Sequence, residues 1–338
     1  MKTRIFMLLA LAALLGSCHD RSAAGGSAST GNAEPMVNSQ GAPYEMVVVC
    51  PSPQWSEEVG DTLRAILLTP VEMLNAHEPI FDVLRVEPKG FGSLVSRHRN
   101  ILRVTVDPEA KEPAVKVSYD LYARPQIVID AVAPSDSLLT ACLWENRDNI
   151  VTAIEAAERN RTLAYYDKFS EKRLDKLVLS KFGVEMKVPD GFRLRNQLDD
   201  FLWISKEYPQ SSQGFFIYSY PYTGREDFEA AALTEARNRF AALIPGENPG
   251  SHMTTNTEFP PQLKALRING RFWAQLRGFW DVQGDFMGGV FVSYSTLDRT
   301  TNRVITLDCY VYSPKQHKRN YLRELENLIF TVSLPSDH

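Results

Sequence analysis

The 338-residue chain is short of several features that would announce a function. Beyond the first fifteen positions, no apolar run approaches the roughly 20 residues that a membrane helix needs. Basic residues do not outnumber acidic ones: 37 Lys and Arg stand against 41 Asp and Glu, for a net charge of −4. Such a chain has no cationic excess for neutralising phosphates, so nucleic acid is excluded as the expected partner. The six histidines are scattered, with no two at i, i+4 spacing. HExxH, GxSxG, SxxK, P-loop and GxGxxG patterns are all missing, which removes the common protease, hydrolase and nucleotide-binding signatures. No cofactor and no metal site are expected. The four cysteines include no CxxC pair, so neither a thiol-redox motif nor a zinc knuckle is present.

What is present starts at the N-terminus. Lys2 and Arg4 precede an apolar run from Ile5 to Leu15, too short for a comfortable permanent span and laid out like a signal peptide. The run closes on Leu15, Gly16, Ser17 and Cys18. Small residues directly before a cysteine resemble the lipobox of bacterial lipoproteins. That resemblance implies cleavage after residue 17, a lipid on Cys18, and a mature chain anchored to a membrane of the cell envelope, the outer membrane being the expected one. Residues 18–43 continue with Ser, Gly, Asn and Pro, too few apolar groups to offset ordering entropy, and read as a flexible tether. The other cysteines, Cys50, Cys142 and Cys309, are odd in number and lie in apolar runs, so they read as buried thiols.

The remaining chain has ordinary globular composition, with 44% hydrophobic and 23% charged residues, and is long enough for two cores. In residues 44–182, periodicity predicts strands at 45–50, 80–86, 101–106, 114–122 and 126–131. It also predicts helices at 60–73, at 91–98, from about 136 onward, and at 171–182, the last stopped by Gly183. In residues 183–335 it predicts strands at 184–189, 202–206, 215–222, 263–268, 271–282, 290–297 and 304–312. A helix over 227–244 and a closing helix over 317–328 lead into a last strand near 330–333. Asn269-Gly270 is a strong hairpin turn. The fold class expected is α+β in two domains, each a mainly antiparallel sheet packed on helices.

The stretch from Gly183 to Phe192, with the closing helix and apolar strand, resembles the PsbP/Mog1-type α/β/α sandwich in pattern, and implies that architecture for the second domain. A second resemblance rests on Val47-Val48-Val49, on Arg97-His98-Arg99-Asn100-Ile101-Leu102, on Arg277-Gly278-Phe279-Trp280, and on the run from Met287 to Tyr294. These residues, with the lipobox, are similar to an uncharacterised lipoprotein family, domain-of-unknown-function family 4837, found mainly in Bacteroidetes. The likeness spans most of the mature chain. It implies no activity and supplies no functional residues.

Several short motifs have bland readings beside sharp ones. His77-Glu78-Pro79 reads as a turn before it reads as a metal pair. Arg97 to Asn100 reads as a solvated helix end before it reads as an anion or head-group site. Asp281 and Asp285 are too few ligands for a calcium loop and show no sign of glycosidase chemistry. Asp61-Thr62-Leu63 and Asp136-Ser137-Leu138 resemble the Asp-Ser/Thr-apolar acceptor of Bacteroidetes O-glycosylation, and both Asp also suit helix starts.

The leading site comes from strand parity. Alternation sets Trp273, Arg277 and Phe279 opposite the apolar row Phe272, Leu276 and Trp280. It likewise sets Asp308, Tyr310 and Tyr312 opposite Ile305, Leu307, Cys309 and Val311. Read together, the two polar-aromatic rows make one face suited to stacking on sugar rings or peptide groups. The ligand-binding residues expected are therefore Trp273, Arg277, Phe279, Asp308, Tyr310 and Tyr312. The function this supports is a noncatalytic binding or assembly role in the envelope, with a glycan or an envelope protein as partner. A glycan- or peptidoglycan-directed hydrolase is the alternative.

Overall fold

The computed structural model describes residues 36–334, so the expected signal peptide and Cys18 lie outside the described residues. The chain forms β1 (Glu45–Val49), α1 (Ser52–Ser56), α2 (Glu58–Leu67), β2 (Asp82–Val86), β3 (Asn100–Val106), β4 (Ala114–Tyr119) and β5 (Ile127–Ala133). Two helices follow, α3 (Asp136–Glu145) and α4 (Arg147–Lys168). α2 ends before Pro70 and buries Val59, Leu63, Ile66 and Leu67 along one stripe. Ser135 caps α3, its hydroxyl accepting from the Leu138 N–H at 3.4 Å.

These strands order as β2-β1-β3-β5-β4. β1 runs parallel to β2 and β3, and β3 parallel to β5; β4 alone joins antiparallel. The α+β class holds, but the mainly antiparallel first sheet expected from the sequence is corrected to a mainly parallel one. The reason is visible in β1, where Met46 to Val49 are all buried. A continuous apolar run buried on both faces is the texture of a parallel strand. On one face Met46, Val48, Leu102, Ile127 and Ile129 meet Leu63, Leu139, Leu143 and Ile154 from the helices. On the other, Val47, Val49, Ile101 and Val128 lie under Phe91 and Val95. Burying each such side chain contributes about 1.5–3 kcal/mol.

The second sheet comes from β6 (Arg193–Leu198), β7 (Phe201–Glu207), β8 (Ser212–Pro221), β9 (His252–Thr255), β10 (Gln262–Ile268), β11 (Arg271–Gln283), β12 (Gly288–Asp298) and β13 (Arg303–Tyr312). Its order is β10-β11-β12-β13-β8-β7-β6, with β9 pairing to β11, and every pairing is antiparallel. Asn269 and Gly270 have φ of 51° and 79°, the positive values that a tight two-residue hairpin turn needs. α5 (Lys172–Phe182) and α7 (Arg319–Glu326) cover one face, placing Leu174, Val178, Leu322 and Leu325 against Phe215, Val292, Leu307 and Cys309. α6 (Ala230–Ala241) covers the other, where Leu233 and Phe240 meet Phe216, Tyr218, Leu276 and Phe291. Helices thus lie on both faces of this sheet.

Three local expectations change. Residues 184–189 make isolated bridges, Glu185 to Ser333 and Ser170 to Pro189, instead of a strand, although Val184, Met186 and Val188 still enter the core. The closing segment is a 3₁₀ turn over Asn327–Thr331 instead of a strand. β6 and β9 went unpredicted: β6 carries only two apolar residues among six, too few to show alternation.

The two sheets are joined through α7. The buried Glu78 carboxylate accepts the Lys318 N–H at 2.8 Å and the Arg319 N–H at 2.8 Å, capping a helix of the second half with a side chain from the first. Arg319 also reaches Asp82 at 2.5 Å, and Arg323 reaches Glu155 on α4 at 2.7 Å.

Candidate functional site

Register decides which residues share a face. Arg277 lies across from Val292, and Val292 from Cys309; Phe279 lies across from Val290, and Val290 from Val311. Trp273, Arg277 and Phe279 therefore stand with Ile305, Leu307, Cys309 and Val311. Asp308, Tyr310 and Tyr312 stand on the opposite face. The single polar-aromatic face expected from the sequence is corrected to two half-rows on opposite sides of the sheet.

The first half-row is under helices. Trp273 is buried in the α5/α7 core. Arg277 forms an ion pair with the buried Glu326 of α7, and burial pulls its guanidinium below the ordinary arginine range. Phe279 is half-buried, with its ring edge-on to Phe259 at 5.7 Å. Asp308 on the other face is also internal. It is fully buried beneath α6, where Arg237 donates Nε–H to Oδ2 at 2.9 Å and lies 3.7 Å over the Phe291 ring. Burial pushes the Asp308 carboxyl up to about 7, with Arg237 pulling the other way.

Tyr310 and Tyr312 reach a cavity. α6 stops at Ala241, short of the sheet's end, and the uncovered end forms a pocket of about 530 Å3. Its aromatic walls are Trp203 from β7, Trp280 from β11 and the two tyrosines from β13. Size alternation across the strands makes the hollow. Trp280 pairs with Gly289, Tyr312 with Ser212, and Tyr310 with Gly214. A Cβ on Gly214 would come within 2.5 Å of the Tyr310 hydroxyl, and one on Gly289 within 2.9 Å of the Trp280 indole nitrogen, so both rings need glycine beside them. Trp280 stands edge-on to Tyr310, centroids 5.8 Å apart.

Polar groups line this pocket beside the rings, among them Gln210, Ser211 and Ser212. Trp203 donates its indole N–H to the Tyr310 hydroxyl at 2.8 Å. Burial pushes that hydroxyl well above the ordinary tyrosine range, so it stays protonated at any physiological pH. Trp280 is 2% exposed, and its indole N–H has no partner among the described residues. Glu207, Glu247 and Lys315 stand at the rim. Concave and lined by both aromatic and polar side chains, the pocket lies within the roughly 300–1,000 Å3 typical of small-molecule sites. Sequence reasoning missed Trp203, while Trp280 is core as expected, 2% exposed, with one edge bordering the pocket. The alternation of Gly289, Ser212 and Gly214 with large aromatics is the signal that could have shown the hollow.

The other singled-out motifs serve the fold. Asp281 accepts from Asn256 Nδ2 at 2.6 Å, and Asp285 accepts from the Glu247 N–H at 3.0 Å. Arg99 and Asn100 join Glu158 and Arg161 in a buried network between β3 and α4, with Asn100 Nδ2 to Glu158 Oε1 at 2.6 Å. That replaces the solvated helix end expected there. Leu63 is buried inside α2, whereas Ser137 is exposed in the first turn of α3. Cys50, Cys142 and Cys309 are free and buried, and burial pushes the Cys50 thiol up to about 11. No helix among the described residues is long and apolar enough to cross a membrane.

Comparisons with known proteins divide the chain at the same joint as its sheets. Residues 39–167 match the family model described as Domain of unknown function (DUF8532), and residues 171–331 that described as Domain of unknown function (DUF4837). The likeness to family 4837 thus covers the second half, while the first half matches a different description. No curated protein matches the chain. Among solved structures, a similar one is LpqN of Mycobacterium tuberculosis, described as involved in cell envelope biogenesis. It is 14% identical, covering 44% of this chain and 83% of that one at a TM-score of 0.27. Another is a Bacteroides thetaiotaomicron protein, 12% identical over 45% of this chain and 44% of that one, at a TM-score of 0.25. The chain is similar in turn to two uncharacterised families.

Proposed function

We propose that the protein is a noncatalytic binding protein of the cell envelope, anchored by a lipid on Cys18, which receives a ring-bearing ligand such as a glycan in the pocket beyond α6. The lipobox-like Leu15 to Cys18 and the Ser/Gly-rich segment after it support the anchor and the spacing from a membrane. The observation that carries the binding reading is the pocket itself, about 530 Å3, walled by Trp203, Trp280, Tyr310 and Tyr312 with polar groups such as Gln210 and Ser212 beside the rings. Trp203 and Tyr312 supply flat apolar faces on which a sugar ring stacks.

The test is calorimetric titration of the full mature chain with peptidoglycan fragments and neutral glycans, using Trp280→Phe and Tyr312→Ala. Trp280→Phe shrinks one aromatic wall of the pocket, so affinity should fall several-fold. Tyr312→Ala should weaken the same ligand by removing a stacking face. Binding unchanged in both variants would take the pocket out of the reading.

A further inference from the structure

Residues 36–40 join the fold at the end of the first sheet where β3 and β5 begin, and that end is apolar. The entering segment lies between two loops. On one side the Arg124 N–H donates to the Val37 carbonyl at 2.9 Å, and the Ser39 N–H to the Arg124 carbonyl at 3.0 Å. On the other, the Gln40 N–H donates to the Arg97 carbonyl at 3.0 Å, and Gln40 Nε2 to the Leu94 carbonyl at 2.6 Å. Around this entry stand Met36, Val37, Leu94, Tyr119, Leu121 and Tyr122, with Leu94 68% and Tyr119 60% exposed. They are six of the 18 large apolar side chains exposed among the described residues, so one place gathers a third of that set. Apolar side chains exposed singly need no explanation, but a contiguous group marks a contact surface.

The two loops are held in place rather than frayed. The buried Gln126 side chain stitches them together: its Nε2 donates to the Ser96 and His98 carbonyls, both at 2.7 Å, and its Oε1 accepts the Tyr122 N–H at 3.0 Å. Asp120 accepts from the Gln126 N–H at 2.9 Å and pairs with Arg124 at 2.7 Å, so the carboxylate of that turn is matched. The Tyr122 ring stands edge-on to Phe91 at 5.8 Å. These loops spend polar groups on each other and leave apolar side chains in solvent, with the exposed Arg97 beside them.

We infer that this end of the first sheet docks on a phospholipid surface, that of the membrane carrying the anchor. The inference rests on the lipid at Cys18 proposed above. Residues 19–35 separate Cys18 from Met36, and even fully extended they span at most about 60 Å. The patch surrounds residue 36, where that span meets the described fold. A tether of this length holds a site at an effective concentration on the order of millimolar, so docking needs only weak intrinsic affinity. Six partly exposed side chains are suited to supply it. Met36, Val37, Leu94 and Leu121 offer apolar surface to the acyl boundary. Tyr119 and Tyr122 carry an apolar ring and a polar tip, the chemistry of the headgroup level, and Arg97 suits a lipid phosphate. Without the anchor the patch is too small to keep the chain on a membrane by itself.

The experiment couples the Cys18 thiol of the full mature chain to a maleimide lipid in phosphatidylcholine vesicles and, in parallel, to a soluble maleimide. Cys50, Cys142 and Cys309 are buried and stay uncoupled. Coupling supplies the anchor chemically, so the outcome does not depend on lipidation in cells, which acyl labelling tests separately. Hydrogen exchange over residues 92–97 and 119–124 should slow several-fold on the vesicles. It should stay unchanged at the β11–β12 tip, where Phe286 is fully exposed. Leu94→Ser combined with Leu121→Ser, both at exposed positions, should abolish the slowing and leave the urea midpoint unchanged. Equal exchange on vesicles and in solution overturns the inference, as does equal slowing in the double variant. Slowing at Phe286 alone overturns it by moving the contact elsewhere. Slowing that grows with the density of protein on the vesicle gives the patch to a second copy and overturns it. Slowing that requires added phosphatidylglycerol makes the contact one of charge, and also overturns it.

Discussion

Replacing Arg237 by Met tests how the second core tolerates a charge. Asp308 and Arg237 are both fully buried, and burial pushes the Asp308 carboxyl up to about 7 even with the guanidinium beside it. Met fills much of the arginine's volume but deletes the charge, the bond to Asp308 and the 3.0 Å bond to Thr255 Oγ1. Near pH 6, Asp308 is largely protonated in either protein, so the loss is that of the hydrogen bonds and the contact with Phe291, about 1–2 kcal/mol. An acid whose folded pKa exceeds its unfolded value near 3.9 weakens the fold progressively as pH rises between the two. In the parent that penalty levels off above about pH 7, where Asp308 ionises against Arg237. In the variant no partner permits ionisation, and the penalty continues at about 1.4 kcal/mol per pH unit. The deficit relative to the parent should therefore reach about 4 kcal/mol at pH 9, near the usual cost of breaking a buried pair. Urea midpoints of both proteins from pH 6 to 9 measure it, and Asp308→Asn added to the variant should flatten the curve. A deficit that stays constant over this range would refute the reasoning.

Trp273→Ala and Trp280→Ala should each cost about 3–5 kcal/mol by denaturant midpoint, because both side chains are 2% exposed on opposite faces; a small shift for Trp273 would mean that the α5/α7 layer does not close over it. Glu78→Ala should cost about 2 kcal/mol and speed hydrogen exchange at Lys318 and Arg319, whose N–H groups it accepts; unchanged exchange there would show that the cap is not holding α7. Cys18→Ala should abolish acyl labelling and release the chain from membranes, and labelling that persists in this variant would remove the anchor from the proposal.

What was legible in the sequence follows from which patterns carry phase. The Asn269-Gly270 turn needs two positive φ values and announces itself. Parity within β11 and within β13 was equally readable, since each alternates. Relating the two was not, because β12 lies between them and is buried on both faces from Gly289 to Thr296. A strand without alternation transmits no phase, so the half-rows were joined the wrong way round. Arg237 was readable in hindsight. It falls on the helical stripe of Leu233, Phe240 and Ala241, where a charge has to be buried and therefore paired. Its partner was beyond local reasoning, since Asp308 is 71 residues away.

The joint between the halves shows the same tension between local punctuation and packing. Gly183, left-handed at φ 68°, ends α5 cleanly, and a sequence reader naturally puts the boundary there. Yet α5 inserts Leu174, Val178 and Phe182 into the core of the second sheet, and Asp175 accepts the Val188 N–H at 2.7 Å. Even Tyr166, near the end of α4, is buried there and donates to the Glu324 carbonyl at 2.7 Å. A glycine marks where a helix stops, but membership of a core is set by where its apolar stripe is buried. By packing, α5 belongs with the core of the second sheet. The Glu78 cap on α7, the Arg323–Glu155 pair and the bond from Tyr166 then tie elements of the first sheet's layer to those of the second with polar contacts.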